Sequence, residues 1–182
     1  MSAGNLAGIY EATGKYEEAL PLRKRALEIH EISLGKDHPI TATSLNNLGY
    51  LLREMGELAE AREPYQRALD IKEKALGPDH PDTATSLNNL GGLLQAMGNL
   101  AEARPYYQRA LDIREKALGP DHPDTATSLW WMGVLAENDG DLIGARDYYQ
   151  RTYQIFLRAL GAEHPNTKNV RGFLQRIEAA LP

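Results

Sequence analysis

"LGPDHPDTATSLNNLG" spans Leu76–Gly91, and its first twelve letters return at Leu118–Leu129 before giving way to "WWMG" at Trp130–Gly133. The core of the phrase occurs four times, as LGKDHP (Leu34–Pro39), LGPDHP (Leu76–Pro81 and Leu118–Pro123) and the drifted LGAEHP (Leu160–Pro165), always 42 residues apart. Residues 39–80 and 81–122, compared position by position, differ at only eight places. A fixed period of this length marks a chain built by stacking one supersecondary unit. Natural duplication and consensus engineering both fit such identity.

Each unit carries two helical patterns. Leu45, Leu48, Leu52 and Met55 recur at steps of three and four, as one face of a helix requires, and Gly56 follows as a natural end. The second pattern runs from Leu58 through Ala61, Tyr65, Ala68, Leu69 and Ile71 to Leu76. Gly77 and Pro78 close it, and His80-Pro81 opens the next helix, with Pro81 suited to the first turn. The spacing predicts helices over 2–13, 17–34, 40–55, 58–76, 82–97, 100–118, 124–139, 142–160 and 166–180. No segment alternates apolar and polar residues, so no strand is expected. Pro21, Pro64 and Pro105 fall inside second helices and should bend them near the second turn. One pair cannot bury its apolar stripe alone, whereas stacked neighbours can. The expected domain is a single array, with repeats at about 1–38, 39–80, 81–122 and 123–164. A capping helix at about 166–180 presents Val170, Phe173, Leu174 and Ile177 at helical spacing.

The chain has 182 residues, 42% hydrophobic and 25% charged, with a net charge of −5. This argues against nucleic-acid capture, which needs clustered excess Lys and Arg. No apolar run approaches the ~20 residues of a membrane span. No signal-peptide pattern opens the chain, which makes the cytoplasm the expected compartment. With no Cys, thiolate chemistry and disulfides are excluded.

The spacing of Leu45, Leu48, Gly49, Leu52, Gly56, Ala61, Tyr65 and Ala68 resembles the tetratricopeptide repeat signature. The third unit matches with Leu87, Leu90, Gly91, Leu94, Gly98, Ala103, Tyr107 and Ala110. Repeat four departs at Met132, Ala136 and Thr152, and repeat one at Ala3 and Arg23. The 42-residue version, with "NNL" and "LGxDHP", is similar to kinesin light chain repeats. It also resembles the arrays of bacterial and fungal nucleotide-switch signalling proteins. The resemblance implies an all-α, right-handed superhelical solenoid of four helix-turn-helix repeats plus the C-terminal capping helix. First helices would line a concave groove and second helices the outer wall, with eight extra residues lengthening second helices and linkers.

Four histidines, His38, His80, His122 and His164, share one repeat position. A metal site needs several ligands around one ion at ~2 Å, whereas equivalent positions on packed helices lie ~8–10 Å apart. The histidines are therefore expected to cap helices and pack the linker, with no metal. Asn5, Asn47 and Asn89 share a register that, by the resemblance, faces the groove, with Asn46 and Asn88 beside them. Asn is a poor helix-interior residue, and its amide can bond both C=O and N–H of an extended peptide. The other reading is one Asn copied with its repeat, solvated or bonded to the neighbouring helix. Two changed positions, Tyr50/Gly92 and Arg53/Gln95, fall on the groove face, while Lys72/Arg114 is read as an outer position. Trp130 and Trp131 replace the paired asparagines. One Trp is expected to pack against the cap and the other to face the groove.

These residues outline a groove of Asn5, Asn46, Asn47, Tyr50, Arg53, Asn88, Asn89, Gln95, Trp130 and Trp131. Arg53 is its one strong cation, opposed by Glu11 and Glu137. The groove positions Thr43, Thr85, Asn47 and Asn89 lack a carboxylate clamp. Nothing supports catalysis: the glycines lie at repeat positions rather than in a phosphate loop, and Asp79, Asp121 and Glu163 are too dispersed for paired acid–base work. The expected function is a non-enzymatic scaffold holding an extended peptide or partner helix, without cofactor, nucleic acid or membrane. The alternative is an oligomerisation spacer or sensor arm of a larger signalling protein. The chain starts mid-repeat, which suggests part of a longer array. Leu6, Ile9 and Tyr10 would then be partly open, offering a homo-oligomer by end-to-end stacking.

Overall fold

In a computed structural model, which describes residues 2–181, the chain is all-α, with nine helices and no strand among the described residues. They are α1 (Ala3–Ala12), α2 (Tyr16–Leu34), α3 (Pro39–Glu54), α4 (Leu58–Leu76), α5 (Pro81–Ala96), α6 (Leu100–Leu118), α7 (Pro123–Asn138), α8 (Leu142–Leu160) and α9 (Pro165–Ala180). Contacts group them into two compact units, Met1–Asn99 and Leu100–Pro182. In the first, α1 packs on α2, α2 on α3, α3 on α4 and α4 on α5, while α3 also meets α5. In the second, α6 packs on α7, α7 on α8 and α8 on α9.

The linker chemistry explains why helices start where they do. His38, His80, His122 and His164 are the N-cap residues of α3, α5, α7 and α9, each followed by proline at the first helical position. Each imidazole Nδ1 accepts the backbone N–H two residues on, at 3.1, 3.1, 3.1 and 3.2 Å. One orphan donor of each helix start is thereby satisfied. A second staple recurs: the Thr41, Thr83 and Thr125 hydroxyls donate to the carbonyls of Gly35, Gly77 and Gly119 at 2.7, 2.9 and 2.8 Å. Gly77 itself has φ +97°, a conformation open to glycine and costly for other residues. The second helices are all 19 residues long and run unbroken through Pro21, Pro64 and Pro105.

Packing inside a pair depends on one close approach. A Cβ on Gly49 would lie 2.9 Å from the Tyr65 ring, and one on Gly133 would lie 2.7 Å from that of Tyr149. Glycine on the first helix thus lets the aromatic of the second lie against its backbone. In the first pair Arg23 takes the aromatic position, and its guanidinium grips Glu11 through two contacts of 2.7 Å.

Packing between pairs supplies the core. Ala42, Leu45, Ala68 and Ile71 form one buried cluster, with Leu27 of the preceding pair against it. Leu51 joins Ala7 and Ala19 of that preceding pair in another. The repeat register shows what neighbours contribute: Leu51 and Leu93 are 0% exposed, whereas the equivalent Ile9 is 51% exposed. At the other end, Val170, Leu174 and Ile177 of α9 are buried, and Phe173 meets Trp130 edge-on at 5.7 Å between ring centres.

Two predictions follow from these contacts. Replacing His80 by Ala should lower stability by about 1 kcal/mol, the usual scale of a lost N-cap, while His80→Asn should retain most of it; urea denaturation measures both. Tyr65 is fully buried and its hydroxyl has no partner. Burial pushes its phenol up from 10.0 to about 12. The neutral ring is the form that the fold holds, so its contribution is complete below pH about 10 and is lost as pH rises through about 12. Tyr65→Phe should therefore weaken the alkaline fall in stability and change neutral stability by no more than about 1 kcal/mol.

Candidate functional site

Neighbouring residues on a helix point about 100° apart, and this separates the two asparagines of each "NNL". Asn46 is buried in α3 and its amide donates to the Ser86 hydroxyl of α5 at 3.0 Å. It thus bonds the adjacent helix, and it also lines the cleft that Asn47 and Asn89 border. Asn88 is buried at the same position of α5. Asn47 and Asn89 are half-buried, and their side-chain amides have no hydrogen-bond partner among the described residues. Asn5 lies exposed at the same register of α1, with its side-chain amide likewise unpartnered.

The three free amides line adjoining clefts of the first unit. Asn47 and Asn89 face a cleft of about 360 Å³, whose walls include Thr43, Tyr50 and Thr85. Asn47 also borders a second cleft of about 290 Å³ with Asn5, lined on the other side by Arg23, Ile29 and His30. Tyr50 is 43% exposed, and the Arg53 guanidinium lies 5.2 Å from its ring centre, a cation–π contact. Gln95 is half-buried on α5.

Sequence reading missed a charge pair in the larger cleft. Lys72, read as an outer residue, is 5% exposed and lines the cleft from α4. Its long stem carries the ammonium under the start of α5, where it donates to Asp82 at 2.9 Å. That hydrogen bond holds the Asp82 carboxyl below its ordinary range. Arg114 is likewise buried rather than outward-facing: it donates to the Asp124 carbonyl at 2.9 Å and to the Ser128 hydroxyl at 3.1 Å. The one available signal was that two of the changed positions, 40/82 and 72/114, belong to this contact.

The expected opposition between Arg53 and two groove glutamates also changes. Arg23 neutralises Glu11, while Glu137 accepts from Tyr149 Oη at 2.9 Å and from Arg176 at 2.6 Å. Arg53 pairs with its own neighbour, Glu54, at 2.9 Å.

In the second unit the aromatics form a continuous run. Trp131 stacks on Tyr107 with 5.6 Å between ring centres and on Trp130 at 6.3 Å. Trp130 continues to Phe173, and Phe173 to Tyr149 at 5.4 Å. Trp130 thus packs against the capping helix as expected. Trp131 is half-buried and committed to two stacking partners. Among the described residues no cluster of three or more His, Asp or Glu could hold a metal, and no helix is long and apolar enough to cross a membrane.

Tetratricopeptide repeat models match residues 1–74, 83–124 and 125–166. No curated protein matches the chain. Among solved structures, the chain is similar to the nearly identical TPR-like repeats of a kinesin light chain candidate from Podosopora anserina. Identity is 26% and the TM-score 0.78, over 98% of this chain and 85% of that one. A single-residue variant of those repeats gives 25% identity and a TM-score of 0.79, over 98% and 84%. BtubC (BKLC) from P. vanneervenii shares the fold at 23% identity and a TM-score of 0.77, over 98% of this chain and 75% of that one. Helix pairs, repeat period and these matches agree, and the chain belongs to the tetratricopeptide repeat family.

Proposed function

We propose that this protein is a non-enzymatic, cytoplasmic scaffold that holds an extended peptide segment of a partner protein along the clefts bordered by Asn5, Asn47 and Asn89. Tetratricopeptide repeats generally serve protein–protein interaction. The observation that carries the finer reading is the contrast within each "NNL". The first Asn is buried, while the second presents an amide with no internal partner beside an open cleft. An amide offers donors and an acceptor at once, the match for both polar groups of peptide main chain. Spacing the amides one repeat apart suits a ligand in extended form, whose main-chain groups recur along its length.

Arg53 beside Tyr50, and Gln95 on the next first helix, supply side-chain selectivity in this reading. The spacer or oligomerisation reading draws on a different observation, the exposed apolar residues Ile9 and Ile32 of the first pair. One experiment separates the two. Selection from a peptide library on the wild-type chain should yield binders. The Asn47→Ala/Asn89→Ala double variant should bind them roughly ten- to a hundredfold more weakly, the loss of about two hydrogen bonds. Unchanged affinity in a folded double variant would remove the amides from the site and favour the spacer.

A further inference from the structure

The contact between Lys72 and Asp82 occupies the cleft in an unusual way. The Lys72 side chain is 7% exposed and that of Asp82 57%, so a nearly buried cation is covered by an open carboxylate. The repeat register shows what accompanies this pairing. One unit earlier, the two positions hold His30 and Ile40, and His30 shares a 2.7 Å hydrogen bond with the Ser44 hydroxyl instead. One unit later they hold Arg114 and Asp124, and at the last junction Phe156 and Asn166. A carboxylate stands at the start of the first helix where the residue below it is a permanent cation, and at neither of the other two junctions. Acid and cation thus occur together at two junctions, and at Lys72–Asp82 they form a direct ion pair.

We propose that Asp82 is the charge-selecting residue of the cleft: it occupies the Lys72 ammonium as an internal carboxylate, so that the cleft accepts neutral hydrogen-bonding groups and turns away the carboxylates of a ligand. A ligand carboxylate arriving here must compete with a tethered one for Lys72, and it meets the exposed, ionised Asp82 at the rim. A neutral amide displaces nothing and finds Asn47 and Asn89 free. The inference rests on the peptide-binding reading for its biological meaning, but the selection itself is a property of the cleft and is tested without any peptide.

The probes are acetate and methylammonium, followed by the side-chain amide signals of Asn47 and Asn89 in two-dimensional NMR of the full chain. Acetate should leave the wild type unmoved. In Asp82→Asn, it should shift both amides with an affinity roughly tenfold or more above any wild-type response, the scale of one charge-assisted hydrogen bond. Asp82→Asn leaves a cation beneath the cleft without its partner, so Lys72→Met serves as the independent variant. It fills the same space with an uncharged chain and frees Asp82, and the cleft should then respond to methylammonium and not to acetate. Acetate shifts in the wild type as large as in Asp82→Asn would overturn the proposal. So would a folded Asp82→Asn silent to acetate, or a folded Lys72→Met silent to methylammonium. Failure of the peptide selection, with these responses intact, would remove the peptide-binding reading and leave the selector in place.

Discussion

A helix pair in this protein has an apolar face that its own two helices cannot cover. Leu51 makes the point: it is sealed because Ala7 and Ala19 of the preceding pair lie against it. Ile9, at the same register of the first pair, is half open. Small residues at the closest approaches, Gly49 under Tyr65 and Ala7 against Leu51, keep the helices near enough for dispersion contacts to accumulate. The charge contacts between successive second helices, such as Arg67 with Glu31 at 2.8 Å and Arg151 with Glu115 at 2.7 Å, are partly exposed. They add little energy and act more on register than on stability.

The same constraint creates the candidate site. In the first unit the first helices α3 and α5 meet directly. Polar residues at that seam have two fates. Asn46 turns inward and bonds Ser86, tying the seam together, while Asn47 turns outward and keeps its amide free. Stability and recognition are thus served by adjacent letters of one motif. Lys72 and Asp82 combine both roles, since the pair joins α4 to the start of α5 and also sets the charge of the cleft.

Helix limits were readable from the sequence to within a residue or two because their signals are local. A glycine follows each of the first eight helices, and His-Pro starts α3, α5, α7 and α9 with a cap whose geometry depends on neighbours two residues away. The histidines could be read as caps because each directly precedes a proline suited to the first turn, and the expectation that one of the two tryptophans packs against the capping helix is met by Trp130 on Phe173. Side-chain direction was less accessible. Nothing in "NNL" distinguishes the inward Asn46 from the outward Asn47 without knowing how far α5 is rotated against α3. Lys72 was misread because its alkyl stem lets a position on a second helix deliver charge to the seam between first helices, a reach that periodicity does not encode. Arg53 lost its expected acidic opponents for a related reason: Arg23, Tyr149 and Arg176 come from other helices to occupy Glu11 and Glu137.

That neighbours, rather than single pairs, hold these helices can be measured by native-state hydrogen exchange, which reads local opening free energies along the chain. Within residues 1–99, the amides of α3, which packs on α2, α4 and α5, should exchange slowest, and those of α1, which packs mainly on α2 and touches α3 through Ala7, markedly faster. Equal protection of α1 and α3 would contradict the account, because the first pair would then be as stable with one face uncovered as the second is between two neighbours.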